Sequence, residues 1–317
     1  MWSRERLRAA GALAVLAVLA ACGGGAAAAP EAVTTSEATT ATPDATVPAP
    51  SVPPGVQEVA LVVDGSVRTY RRYVPPILPI DEPTALVVDL HGFASKPVRQ
   101  DALSGWSALA GDEGFVVAQP AATGGVASWD SAPGTAGAVE DLALIKAVVD
   151  DVASAVAIDP GRVYLSGFSN GGGMANRVAC DAADLVSAIG TVAGAYVDTD
   201  GCEPLQPVAV VSFHGTADVV VPYDGAGGVF PPIAEWAAGW AERNGCAPVA
   251  ERVPVSGDTV RDAWGSCESG VAVVVYTVEG GRHAWPGTES PGLFAGTDTI
   301  DATALMWAFF EDHQRSS

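Results

Sequence analysis

Arg162-Val163-Tyr164-Leu165-Ser166-Gly167-Phe168-Ser169-Asn170-Gly171-Gly172-Gly173-Met174 runs from an apolar segment, through a G-x-S-x-G pentapeptide, into a segment compatible with a helix. A strand that turns sharply into a helix with a serine at the turn reads as a nucleophile elbow. Small residues must flank the serine because the two backbones pass close together. The turn lifts the hydroxyl clear of the sheet and aims the helix N-terminus at it. The positive end of a helix dipole favours an oxyanion at that place.

Working outward from Ser169, strand-like and helix-like segments alternate. Upstream, Val59 to Val63 and Val67 to Val74 flank Asp64-Gly65, a hairpin turn signal. Ala85 to Leu90 is a nearly continuous apolar run, as expected of a buried parallel strand. Gln100 to Asp112 places Leu103, Trp106 and Leu109 at helical spacing, with Gly114 as a stop. Phe115 to Ala118 is the next strand. Val139 to Ala157 carries Leu142, Ile145, Val148, Val149 and Val152 on one helix face, and Pro160-Gly161 turns the chain into the elbow strand. Downstream, Ala188 to Ala193, Val208 to Phe213 and Val271 to Val278 read as strands. Ile233 to Arg243, with Trp236 and Trp240 on one face, and Ile300 to Asp312 read as helices. Such alternation predicts an α/β class with a mostly parallel central sheet and helices on both faces. This is the order of an α/β-hydrolase fold, with the leading hairpin adding antiparallel strands at one edge.

A serine hydroxyl needs a general base, usually a histidine oriented by a carboxylate. In this fold the chain order is Ser, then Asp or Glu, then His. The chain has four histidines. His91 precedes the serine, His214 ends a strand ahead of any acid loop, and His313 sits near the chain end. His283, just beyond the last strong strand, is the expected base. Asp218 follows the Val208–Phe213 strand and is the expected acid, with Asp224 as its nearest rival; Asp198 and Asp200 lie before that strand. The backbone N–H of Asn170 is the expected first oxyanion donor. The N–H of Phe93, in Leu90-His91-Gly92-Phe93 after an early strand, is the second.

The 317 residues divide into three parts. Residues 1–22 read as an export signal: Arg4, Arg6 and Arg8, then an apolar segment too short to span a bilayer, then Leu19-Ala20-Ala21-Cys22. That ending resembles a bacterial lipobox, with lipid on Cys22 anchoring the chain to the cell membrane. An ordinary secretory signal is the plainer alternative. Residues 23–55 are rich in Ala, Thr, Pro, Gly and Ser, and form an expected disordered tether. Residues 56–317 are the expected catalytic domain. With 37 acidic against 16 basic residues, the formal charge of −21 excludes nucleic acid as a natural partner.

Beyond Cys22 there are four cysteines, Cys180, Cys202, Cys246 and Cys267. Four cysteines allow three pairings. The sequential pairs Cys180–Cys202 and Cys246–Cys267 are favoured, each closing a loop of about 20 residues and contributing about 3 kcal/mol by chain entropy. The spacings do not suit a zinc site.

Four blocks in order resemble one family: Leu90-His91-Gly92, Gly167 to Met174, His214-Gly215-Thr216-Ala217-Asp218 with Val221-Pro222-Tyr223, and Gly281-Arg282-His283-Ala284-Trp285-Pro286-Gly287. They are similar to the secreted esterases that group polyhydroxybutyrate depolymerases with feruloyl and acetylxylan esterases. The resemblance covers the chain from Tyr70 onward and supports the sequential disulfides. Arg282 is a departure, where relatives often carry a smaller or neutral residue. The resemblance implies an extracytoplasmic serine esterase acting by two-step acyl transfer on a polysaccharide-linked, polyester or small ester, with no metal or organic cofactor. A non-catalytic glycan- or lipid-binding lipoprotein and a peptidase of the same fold are the competing expectations. Trp129 and Trp285 are candidate substrate-wall residues, and Phe168 is expected to pack.

Overall fold

The structure, a computed structural model, describes residues 52–78, 82–197, 201–288 and 296–315. The expected export signal with Cys22, most of the expected tether, and Asp198 and Asp200 lie outside the described residues. All described residues belong to the unit Val47–Ser317.

Asp64 and Gly65 adopt φ of 48° and 79°. Positive φ at both central residues is what a type I′ turn requires. It joins β1 (Gly55–Val63) to β2 (Ser66–Val74) in antiparallel register, so the expected tether gives way to strand at Gly55. The chain continues through β3 (Thr84–Leu90), α1 (Pro97–Ser104), α2 (Trp106–Glu113), β4 (Val116–Pro120) and α3 (Ala136–Ala155). Then come β5 (Ile158–Phe168), α4 (Asn170–Asp181), β6 (Ala188–Val192), β7 (Ala209–Gly215) and α5 (Ile233–Arg243). The last elements are β8 (Glu251–Ser256), β9 (Thr259–Trp264), β10 (Val273–Val278) and α6 (Ala302–Asp312).

The strands form one sheet in the order β1-β2-β4-β3-β5-β6-β7-β10-β9-β8. The six from β4 to β10 in that order pair in parallel, and antiparallel hairpins extend the sheet at both ends. Every residue of β3, β4, β6, β7 and β10 is buried. Burial on two faces is why these strands read as apolar runs rather than alternating ones. Leu144, Val148, Met174, Val178, Trp236 and Trp240, from α3, α4 and α5, cover one face. Trp106, Ala110, Met306, Trp307 and Phe310, from α2 and α6, cover the other. This is the α/β-hydrolase fold.

Three features differ from the sequence expectation. The single helix expected over Gln100–Asp112 is two helices, because Gly105 adopts φ of 71° and its N–H closes α1 on Asp101 O. The turn lets Trp106 plunge into the core and donate from Nε1 to Ser166 Oγ at 2.9 Å. Pro160-Gly161 does not break the chain before the elbow strand: β5 runs through it. The β8–β9 hairpin was not anticipated.

Both sequential disulfides are formed. Cys180–Cys202 holds the last turn of α4 to the chain ahead of β7, and Cys246–Cys267 brackets the β8–β9 hairpin at its base.

Candidate active site

Ser169 is the residue between β5 and α4, with φ of 54° and ψ of −116°. Left-handed φ at a residue with a side chain costs about 1–3 kcal/mol and must be held by its surroundings. Three backbone hydrogen bonds hold it: Ser169 N–H donates to Val192 O at 2.9 Å, and Ser169 O accepts from Gly173 and Ala195 N–H at 3.0 and 2.9 Å. The glycines answer to close approach. A Cβ on Gly167 would overlap Gly171 backbone, and one on Gly171 would overlap the Leu90 carbonyl oxygen. Side chains there would push the helix off the strand and the serine out of place.

Asp218 follows β7 and His283 follows β10, so both come to the same sheet end as Ser169. Ligands of parallel sheets bind at these carboxyl ends. His283 Nδ1 lies 2.7 Å from Asp218 Oδ2. The other carboxylate oxygen, Oδ1, accepts from Val220 and Val221 N–H at 2.8 and 2.9 Å. Burial alone would push the Asp218 carboxyl up. The hydrogen bond and charge attraction of His283, with the two N–H donors, outweigh it and hold the pKa below the ordinary value. An ionised Asp218 makes His283 Nδ1 the proton donor, which leaves Nε2 as the basic nitrogen.

His214, set aside as the base on sequence grounds, turns out to touch the acid. Its Nε2 is 3.5 Å from Asp218 Oδ2 and donates to Val221 O at 2.8 Å. Its Nδ1 has no partner among the described residues. Burial lowers its pKa, so this second imidazole is neutral and packs against the Asp218 turn.

The His91–Phe93 loop lies against the elbow. A Cβ on Gly92 would stand 3.2 Å from Phe168 Cδ1 and 3.5 Å from Ser169 Cβ. Among the described residues the Phe93 N–H has no acceptor, and Asn170 is the first residue of α4, whose N–H has no intrahelical acceptor. His91 itself is buried. Its Nδ1 donates to Gly92 O at 2.8 Å and its Nε2 accepts from Ala122 N–H at 3.1 Å. Burial lowers its pKa, which fits this neutral tautomer and a role in shaping the loop.

Two polar anchors were not legible in the sequence. The Asn170 amide pairs with the Trp129 backbone in both directions, accepting from N–H at 2.7 Å and donating to O at 2.9 Å. Asp89, fully buried on β3, accepts from Gln100 Nε2 at 2.9 Å and Ser104 Oγ at 2.8 Å. Burial pushes its pKa up to about 7 against the pull of these and other donors.

Ser169 and His283 line one cleft of about 520 Å³. Its apolar wall is Phe93, Leu103, Phe168 and Val220, with Arg99 and Gln100 at one side. Phe168 therefore both packs and faces the cleft; its ring lies 4.9 Å from that of His283. Trp129 and Trp285 require correction as substrate-wall residues. Trp129 is 3% exposed and donates from Nε1 to His91 O; Trp285 is 0% exposed and donates to Thr303 Oγ1. Both brace loops from inside. A second cavity of about 450 Å³, lined by Val186, Pro207 and Val271, opens at the opposite end of the strands, away from this chemistry. Among the described residues no cluster of three or more His, Cys, Asp or Glu could hold a metal ion.

Comparisons with known proteins place the chain among esterases. The family model described as esterase PHB depolymerase matches residues 68–229, a span that includes Ser169 and Asp218. A protein of Nocardia uniformis subsp. tsuyamanensis named as an esterase (NocK) is 33% identical over 330 residues, covering 92% of this chain and 94% of that protein. Feruloyl esterase C of Emericella nidulans is 27% identical over 249 residues, 77% of this chain and 83% of that protein. The solved acetyl xylan esterase from Aspergillus awamori shares the fold, with a TM-score of 0.61 at 18% identity over 81% of this chain and 99% of that one. On the family model and the Nocardia relative together, this chain belongs to the esterase PHB depolymerase family and is a carboxylic ester hydrolase.

Proposed function

We propose that Ser169, His283 and Asp218 act as nucleophile, general base and orienting acid of a serine esterase. The observation that carries this reading is the 2.7 Å contact of His283 Nδ1 with Asp218 Oδ2, with His283 and Ser169 on one cleft. His283 Nε2 takes the Ser169 proton as the hydroxyl oxygen attacks the ester carbonyl. The N–H groups of Phe93 and Asn170 stabilise the tetrahedral oxyanion. The proton passes from His283 to the departing alcohol, leaving an acyl-serine. His283 then takes a proton from water, which attacks the acyl carbonyl and releases the acid with Ser169 restored.

The substrate class is an ester of a feruloylated or acetylated polysaccharide or of a polyhydroxyalkanoate type. The family description and the named activities of the feruloyl and acetylxylan esterase relatives support it. The site of action is outside the cytoplasm, with residues 1–22 as a lipoprotein signal, lipid on Cys22, residues 23–55 as a tether and 56–317 as the esterase domain. Two disulfides support that location, because such bonds persist in oxidising compartments.

Ser169→Ala is expected to abolish p-nitrophenyl acetate hydrolysis while leaving the urea midpoint in place. Asp218→Asn, which favours the wrong tautomer of His283, is expected to lower kcat by on the order of 10⁴. Wild-type turnover in Ser169→Ala would sink the reading, and wild-type turnover in Asp218→Asn would move the acid role to Asp224.

A further inference from the structure

The cleft beside Ser169 carries a charge asymmetry that ester hydrolysis alone does not require. Among the described residues that line it, Arg99 is the one arginine or lysine, and no aspartate or glutamate contributes. This is a chain with 37 acidic against 16 basic residues. Asp218 does not supply the missing negative charge at the cleft surface. Its side chain is fully buried and its oxygens are taken by His283, Val220 and Val221.

Several arginines elsewhere are spent on partners. Arg68 pairs with Asp141, Arg71 with Asp101, and Arg252 with Asp262. The exposed Arg99 guanidinium has no ion pair or hydrogen bond among the described residues. An arginine that faces a binding cleft and is engaged by none of the described residues is available to a ligand. Its planar fork of donors matches a carboxylate in two-point geometry.

The backbone beneath it is pinned. Arg99, Gln100 and Leu103 of α1 all face the cleft. Gln100 and Ser104 donate to buried Asp89, and Asp101 accepts from Arg71 and Gln119. A charged group carried on a fixed helix needs less ordering when ligand arrives. Phe93, Phe168 and Val220, with Leu103, make the apolar part of the lining.

We infer that the cleft takes esters with an apolar body and a free carboxylate, and that Arg99 is the residue that binds the carboxylate. The inference rests on Ser169 being the nucleophile of this cleft. The overall charge of −21 repels such a substrate from afar. Recognition therefore acts at contact, inside the screening length of about 10 Å at moderate salt.

Two matched ester pairs test it. 4-Nitrophenyl monoadipate and 4-nitrophenyl hexanoate place the charge, or its absence, on the acyl side. 4-Acetoxybenzoate and its methyl ester do so on the alcohol side. The readout is the ratio of kcat/KM for the anionic member to that for the neutral one, in wild type and Arg99→Gln. For at least one pair the ratio is expected to fall about fivefold in Arg99→Gln, the scale of a partly exposed ion pair. Added salt should lower the wild-type ratio and leave that of the variant nearly flat. Equal ratios in the two enzymes for both pairs would overturn the inference while leaving the Ser169 reading standing. Turnover of the neutral esters that survives in Ser169→Ala would bring down that reading and the inference with it.

Discussion

Asp89 shows how a single buried side chain of β3 sets a property of the whole fold. Its carboxyl has an ordinary value of 3.8, and burial raises it to about 7 in the folded protein. Between those values the folded state keeps a proton that the unfolded chain has released. Stability therefore falls as pH rises from about 4 to about 7, by up to about 1.4 kcal/mol per unit inside the window. Below that window the contribution is complete, and above it nothing more is lost. Asp89→Asn keeps a hydrogen-bonding side chain and removes the titration. The difference in urea midpoint between wild type and variant should slope across pH 4 to 7 and be level outside it; a level difference throughout would show that Asp89 stays ionised. Asn170 teaches a related lesson at this scale. Its place after Ser169 makes its backbone N–H the proposed oxyanion donor, yet its side chain clamps Trp129 from 41 positions away. No local pattern announces a contact of that separation.

At the scale of elements, Gly105 decides where one helix becomes two. It sits at φ of 71°, and a Cβ placed there meets nothing within 4 Å. The cost of Gly105→Ala is thus torsional alone, about 1–2 kcal/mol for a left-handed L-residue. That should be read as a lower urea midpoint, and an unchanged midpoint would mean that α1 and α2 rejoin without loss. The periodicity of Leu103, Trp106 and Leu109 hid this break, because both halves bury the same face. Strands of the parallel centre were legible because burial on two faces leaves continuous apolar runs. The β8–β9 hairpin was not: most of β8 is exposed, and its short apolar face, Val253 and Val255, is interrupted by Pro254. Its two-residue turn, Gly257-Asp258, was the signal that could have found it. The proximity of Asp218 and His283, at the sheet end that carries Ser169, was legible because each of the three residues follows a readable strand. The bracing tryptophans were misread because an aromatic residue near the base looks the same in sequence whether it faces ligand or core.

For the whole molecule, the chemistry gathers at one end of the sheet while the disulfides fasten elements that flank it. The proposed envelope location depends on Cys22, and metabolic labelling with a radioactive fatty acid tests it. Label is expected on the wild-type chain and is expected to vanish in Cys22→Ala; an unlabelled wild type would reduce the signal to an ordinary secretory one. The far end of the sheet has its own consequence. β8 is a terminal strand whose outer side has no partner among the described residues. Pro254 has no N–H to offer, its pairing register shifts just after it, and Glu251 and Arg252 place charges beside it. A row of donors interrupted in this way is a poor template for a foreign strand. Molecules crowded together on a substrate or an envelope surface are thereby kept from zipping into a common aggregate along that border.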